Sequence, residues 1–276
     1  MLKHIAAVPL PIKLVVASFL CPTEFSLYVA GLRLPPHRVA LILLLPLALY
    51  RLLVAGKARV QAFDVLMLCY NVWALAAYAS HSEGTEGLVY GGSLVVESLG
   101  AYAIARAFVR DGAGFVATLQ LLVFTSMVAG LIALPDMLLG EYATHNLLRA
   151  TIGGEAMPPV EYRLGLARAT SVFDHPIHLG TYCASLVAMI WSVERRQGAR
   201  IRYAVIASLA TLTALSSAPL LCIGVQIMLL LWERATRGVA KRVPIFVAIL
   251  LGLYLGASVV ATRSPIALIA TGMTLD

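Results

Sequence analysis

The stretch Tyr162-Arg163-Leu164-Gly165-Leu166-Ala167-Arg168-Ala169-Thr170-Ser171-Val172-Phe173-Asp174-His175-Pro176-Ile177-His178-Leu179-Gly180 holds the side chains of this sequence best suited to chemistry. Arg163 and Arg168 supply forked donors that stay charged. Pro176 suits the first turn of a helix, with Asp174 or His175 as its cap, so unsatisfied N–H groups and a partial positive charge follow directly. Such a set suits a phosphate or diphosphate group. The plainer alternative is that both arginines touch lipid phosphates at a membrane interface and that His175 only caps the helix. Glu97 is a second point of interest, because it lies in the middle of an apolar run. A carboxylate at bilayer depth faces a bundle interior or an aqueous cavity, where it pairs with a base or is protonated; helix packing or a structural hydrogen bond is its simpler role.

The elements that must position these groups are set by composition. The 276 residues are 60% hydrophobic and 13% charged, with a mean hydropathy of +0.87. A soluble domain is about half apolar and about a quarter charged, so the chain reads as an all-α, polytopic membrane helix bundle with no soluble domain. Apolar windows fall at about 9–31, 38–55, 62–79, 87–110, 114–134, 176–193, 201–217, 219–232 and 244–261, giving about nine transmembrane helices. The first, with Pro11, Lys13, Cys21-Pro22 and Glu24, is expected to kink or to start at the interface. Alternating the loops puts fourteen of the 21 Lys and Arg on the N-terminal side and six on the other, which predicts an N-in/C-out topology.

Residues 1–276 then form a single integral membrane domain with one long outer, periplasmic loop at about 135–175, where loops of such length usually carry function. The net charge of +7 would suggest nucleic acid in a soluble protein, but here it is a topology signal and no nucleic-acid partner is expected. Cys21, Cys69, Cys183 and Cys222 lie far apart within apolar runs, without metal-site spacing, and read as small core residues. No A-x-A-like site closes the first apolar stretch, so it reads as retained. Gly87-x-x-x-Gly91 and Gly252-x-x-x-Gly256 fit close helix approach. Ser216-Ser217-Ala218-Pro219 reads as a tight turn between helices.

The pattern Arg163-Leu164-Gly165-Leu166-x-Arg168-Ala169-x-x-x-Phe173-x-His175-Pro176-Ile177-x-x-Gly180 resembles the arginine-to-His-Pro stretch of the O-antigen ligase and polymerase superfamily, including its exopolysaccharide-associated members. Leu215-Ser216-Ser217-Ala218 is similar to that family's small-residue turn. Cys21-Pro22-Thr23-Glu24-Phe25-Ser26-Leu27 with Gly31-Leu32-Arg33-Leu34, and Gly91-Gly92 through Glu97 to Tyr102, are further similarities.

The resemblance implies a multi-pass protein of the bacterial inner membrane that transfers a glycan from an undecaprenyl-diphosphate carrier to a saccharide or lipid acceptor on the periplasmic side. It implies inverting displacement without a metal or other cofactor. Arg168, then Arg163, are the implied diphosphate contacts, and Arg263 is a further one. His175 and His178 are the implied catalytic histidines, although the family generally places that histidine in a later, larger outer loop. The chain stops at Asp276, soon after the ninth window, so on this reading it is short at its C-terminus and a partner polypeptide would supply the remainder. Two other classes stay open: a non-catalytic or truncated membrane subunit, and a transporter or flippase. The latter would want intramembrane charge pairs and inverted repeats, and the sequence offers neither beyond Glu97.

Overall fold

Proline stands in the first turn of several helices of this chain, and glycine closes two of them. The structure, a computed structural model, describes residues 2–29, 32–55, 60–81, 85–153 and 157–260, so Arg263 lies outside the described residues. Two short helices, α1 (Leu2–Ala6) and α2 (Leu10–Phe19), lead to a single 3-10 turn, Thr23–Phe25, and an antiparallel pair, β1 (Leu27–Val29) and β2 (Leu32–Leu34). Then come α3 (Pro36–Leu49), α4 (Ala62–His81), α5 (Glu86–Val95), α6 (Ala101–Phe108), α7 (Gly112–Leu139) and α8 (Ala143–Ile152). A two-residue ladder, β3 (Tyr162–Arg163) and β4 (Leu166–Ala167), precedes α9 (Pro176–Val193), α10 (Gln197–Thr213), α11 (Ser217–Ala235) and α12 (Arg242–Val260).

Pro36 and Pro176 stand in the first turns of α3 and α9, where a missing N–H costs nothing. The Asp111 carboxylate caps α7 by accepting from the Gly114 N–H at 2.6 Å. Gly140 closes α7 at φ +73°, a backbone conformation that favours glycine, and lies beside the Tyr162 hydroxyl, which a Cβ there would approach to 2.8 Å. The π-helical turn Val96–Gly100 joins α5 to α6 as one continuous span carrying Glu97.

Among the described residues, six helical stretches are long and apolar enough to cross a membrane: Pro36–Val54, Ala62–His81, Glu86–Phe108, Gly112–Leu139, Pro176–Val193 and Ser217–Ala235. This is an all-α membrane bundle. The other three windows are also helical, but differently. The first holds only the ten residues of α2 before Cys21-Pro22 breaks the ladder, α10 spans 17 residues, and α12 is a further apolar helix. The long connection between α7 and α9 begins later than composition suggests, because α7 runs through Pro135 to Leu139.

Helix α7 is the axis of the bundle. Its first half packs with α2, α3 and α6 around Val16, Leu41, Ile104 and Leu121. Its middle packs with α9 and α10 around Val123, Val187 and Ala207, and its last turns close on Ala169, Leu179 and Ala210. Small residues set the closest approaches: a Cβ on Gly130 would lie 2.9 Å from that of Ala210, one on Gly180 2.6 Å from Pro219 Cγ, and one on Gly91 2.9 Å from Leu75 Cδ1. The Gly87/Gly91 pattern therefore does mark a helix contact, whereas Gly252 and Gly256 have nothing within 4 Å. Of the four cysteines only Cys183 is buried; Cys69 and Cys222 point outward, on faces an apolar environment would cover.

Candidate functional site

A cavity of about 560 Å³ opens where α3 and α9 begin. Its walls come from four separate parts of the chain: Cys21 and Thr23 after α2, Arg33 to Arg38 at the start of α3, Glu97 in the π turn, and Val172 to Tyr182 entering α9. It reaches well into the bundle. Glu97 is the twelfth of the 23 residues of its span, and Tyr182 on the cavity wall bonds Thr125 halfway along α7, at 2.6 Å between hydroxyl oxygens.

Its polar groups form a connected array. Glu97 Oε1 accepts from Arg38 Nη2 at 2.7 Å and from Arg38 Nε at 3.1 Å, and lies 3.4 Å from His37 Nε2. His37 stacks on Phe19 with ring centroids 5.3 Å apart. Arg38 Nη1 donates to the Arg33 carbonyl at 3.0 Å, so the two arginines are fixed relative to each other. Arg33 donates from Nε to Ser26 Oγ at 3.2 Å and stands 4.0 Å from Asp174, whose carboxylate also accepts from the Thr23 hydroxyl. Two guanidinium groups and two carboxylates thus face one space. The imidazole of His178 reaches the same space and makes no hydrogen bond among the described residues. Fixed donors beside water-accessible carboxylates and an imidazole form a set able to hold an anionic group and move a proton. No cluster of three His, Cys, Asp or Glu side chains able to hold a metal occurs among the described residues.

The residues singled out from sequence divide between two places. Glu97 and His178 line the cavity. His175 caps α9: its Nδ1 accepts from the Ile177 N–H at 3.1 Å, and its ring lies 6.0 Å from that of His178. Burial holds the His175 imidazole below its ordinary range, and the Arg168 charge and His178 act the same way. A lowered value keeps Nδ1 free of a proton, as an acceptor must be. Arg168 and Arg163 do not line the cavity. Arg168 binds Glu161 and Ser216 Oγ, the latter at 3.4 Å, and Arg163 donates to the Leu215 carbonyl at 3.2 Å. They fasten the long connection between α7 and α9 to the turn between α10 and α11, bringing together two stretches that were read separately in the sequence.

Sequence reasoning weighed Arg38 only as a loop charge, took Arg33 as a loop charge within a stretch that resembles the family, and did not weigh His37. The available signal was Arg33-Leu34-Pro35-Pro36-His37-Arg38, a second case of arginine and histidine flanking proline at a helix start. It also missed Asp136. That buried carboxylate accepts from the N–H groups of Ala143 at 3.0 Å, Thr170 at 3.2 Å and Ser171 at 2.9 Å, and from the Thr170 hydroxyl at 3.3 Å. It ties both ends of the connection between α7 and α9 to α7, which holds Phe173 and Asp174 at the cavity.

No protein-family model matches the chain, and no curated protein or solved structure matches it. The case for function therefore rests on the residues and their geometry.

Proposed function

We propose that this protein transfers a glycan from a polyprenyl-diphosphate carrier to an acceptor hydroxyl at the outer face of a bacterial inner membrane, as the resemblance to O-antigen ligases and polymerases implies. The reading takes the chain as N-in with about nine crossings, which puts the starts of α3 and α9 outside. One observation carries it. Stretches that resemble the family at residues 21–34, 91–102 and 163–180 lie far apart in the chain, yet Cys21, Thr23, Arg33, Glu97, Phe173, Asp174 and His178 line one cavity.

In this reading the diphosphate contacts are Arg33 and Arg38, because they line the cavity and Arg163 and Arg168 do not. Two guanidinium groups at the cavity oppose the charge that develops as the anomeric C–O bond breaks and its electron pair leaves with the diphosphate. His178 takes the proton of the acceptor hydroxyl as that oxygen bonds to the anomeric carbon. Glu97 anchors Arg38 rather than entering the reaction. In cells lacking the gene, carrier-linked glycan should accumulate, and a plasmid copy should clear it. His178→Ala should reach normal membrane abundance and clear none. Full clearance by that variant would remove the proposed base.

A second reading has its own observation. Arg38–Glu97 at 2.7 Å and Arg106–Asp64 at 3.2 Å are ion pairs between apolar helices, the feature a transporter or flippase would need. Movement of carrier-linked glycan across vesicles that hold the purified chain and no acceptor would favour that reading over transfer.

A further inference from the structure

Between α7 and α10 runs a second, different concavity of about 490 Å³. Its floor is the close approach of Gly130 to Ala210, and its walls are apolar, with Met127, Leu134 and Met137 on one side and Leu209 on the other. At one end it is closed by Leu166 of β4 and by Leu215 of the turn after α10. Leu131 and Leu209 on its walls are more than half exposed, so it opens sideways, toward the face an apolar environment covers. Met127 to Met137 is ten residues of helix, about 15 Å of rise. A bilayer hydrocarbon core is about 30 Å thick, so the groove is as long as one leaflet is deep.

A cation stands at its closed end. Arg163 pairs directly with Leu166 across the β3–β4 ladder, which puts their side chains on the same face of the hairpin. Arg163 Nη1 donates to the carbonyl of Leu215, itself a groove residue. That is one of five donors. Among the described residues the guanidinium has no carboxylate partner, unlike Arg33, Arg38 and Arg168. The hairpin tip, Leu164-Gly165, has φ of +54° and +77°, and Leu164 is 89% exposed. An apolar side chain on an outer turn suits insertion among lipid.

We infer that this groove holds one acyl chain of an anionic phospholipid of the leaflet on that side, with the lipid phosphate on Arg163. The groove length selects the occupant. A leaflet-deep slot fits an acyl chain, whereas a long polyprenyl chain would extend beyond it. The site is separate from the cavity at Glu97 and does not depend on what that cavity does. Its consequence is mechanical: a lipid there joins α7, α10 and the hairpin, three parts of the framework that holds the outer connection.

The test is native mass spectrometry of the full chain, purified in mild detergent and reloaded from vesicles of phosphatidylglycerol or of phosphatidylcholine. One phosphatidylglycerol should be retained per chain, in preference to phosphatidylcholine. Arg163→Gln should lower that retention about tenfold, as expected when a charge-assisted contact is lost. Leu209→Trp, which fills the groove from its exposed wall, should abolish it, and Arg149→Gln on α8 should leave it unchanged. Thermal unfolding of each variant near the parent value shows that the fold is intact. Several loosely held lipids per chain, retention indifferent to both groove variants, or a polyprenyl phosphate as the retained species would each overturn the inference.

Discussion

Glu24 and His145 meet inside the protein, 121 residues apart in sequence, with Glu24 Oε1 2.5 Å from His145 Nδ1. The other ring nitrogen, Nε2, lies 3.1 Å from the carbonyl oxygen of Phe173. Both nitrogens thus face acceptors. Nε2 must carry a proton to satisfy the carbonyl, and the contact with Glu24 needs one further proton, on the ring or on the carboxyl. Either way the couple is neutral overall and buried. It joins the 3-10 turn that bears Thr23 to helix α8 and to Phe173, and so closes one side of the cavity.

Removing one partner should be costly. His145→Ala leaves a buried carboxylate without its proton partner, and Glu24 Oε2 already has no hydrogen bond. The expected loss is about 3–5 kcal/mol, read as a fall in the thermal unfolding midpoint of purified protein. A midpoint equal to the parent's would show that the pair does not hold this region.

Arg38 and Glu97 should behave as a unit in the proposed transfer. Glu97→Gln keeps the shape but removes the charge that fixes Arg38, and Arg38→Gln removes the donor itself. Each single variant should lower clearance of carrier-linked glycan by about 10²-fold, the low end for losing a preorganised charge contact. The double variant should be little worse than either single one. Additive losses in that cycle would mean the two residues act separately.

Glycine at position 180 should be irreplaceable where glycine at 252 is not. A Cβ on Gly180 meets the ring of Pro219, a group that cannot rotate away, and would force α9 from α11. Gly180→Ala should cost about 1–3 kcal/mol. Gly252→Ala has open space around it and should be neutral or stabilising by up to about 1 kcal/mol. Thermal unfolding of the two variants side by side decides this.

The cap on α9 should respond to acid. Because burial and Arg168 hold His175 below the ordinary imidazole value of 6.5, the folded state binds fewer protons there than the unfolded state. The contribution of His175 to stability is therefore complete above that value and is lost as pH falls through the lower folded value. His175→Asn, which can cap without titrating in this range, should flatten that part of the stability profile measured between pH 8 and pH 5. An unchanged profile would exclude His175 as the responsible group.

Much of this was legible in the residues themselves. The apolar windows at 176–193 and 62–79 match helices Pro176–Val193 and Ala62–His81 within two residues, because an uninterrupted run of apolar side chains leaves the backbone little choice but to satisfy itself internally. Pro176 and His175 announced the start of α9 through local chemistry alone. In the window at 9–31, Cys21-Pro22 pointed to an interruption for an equally local reason, and helix α2 does end at Phe19, just before it.

Which charged groups would meet was another matter. Arg38 and Arg168 look equivalent as sequence, each an arginine near the start of a helix. Tertiary packing separates them: Glu97, in the π turn, meets Arg38 at the cavity, whereas Glu161, seven residues before Arg168, claims the second arginine for the connection between α7 and α9. The sequence by itself determined a membrane bundle, most of its helices and their caps, since those depend on neighbours a few residues away. The cavity, the Glu24–His145 couple and the lipid-length groove depend on residues dozens of positions apart, and only the packing of α7 against the rest of the bundle decided them.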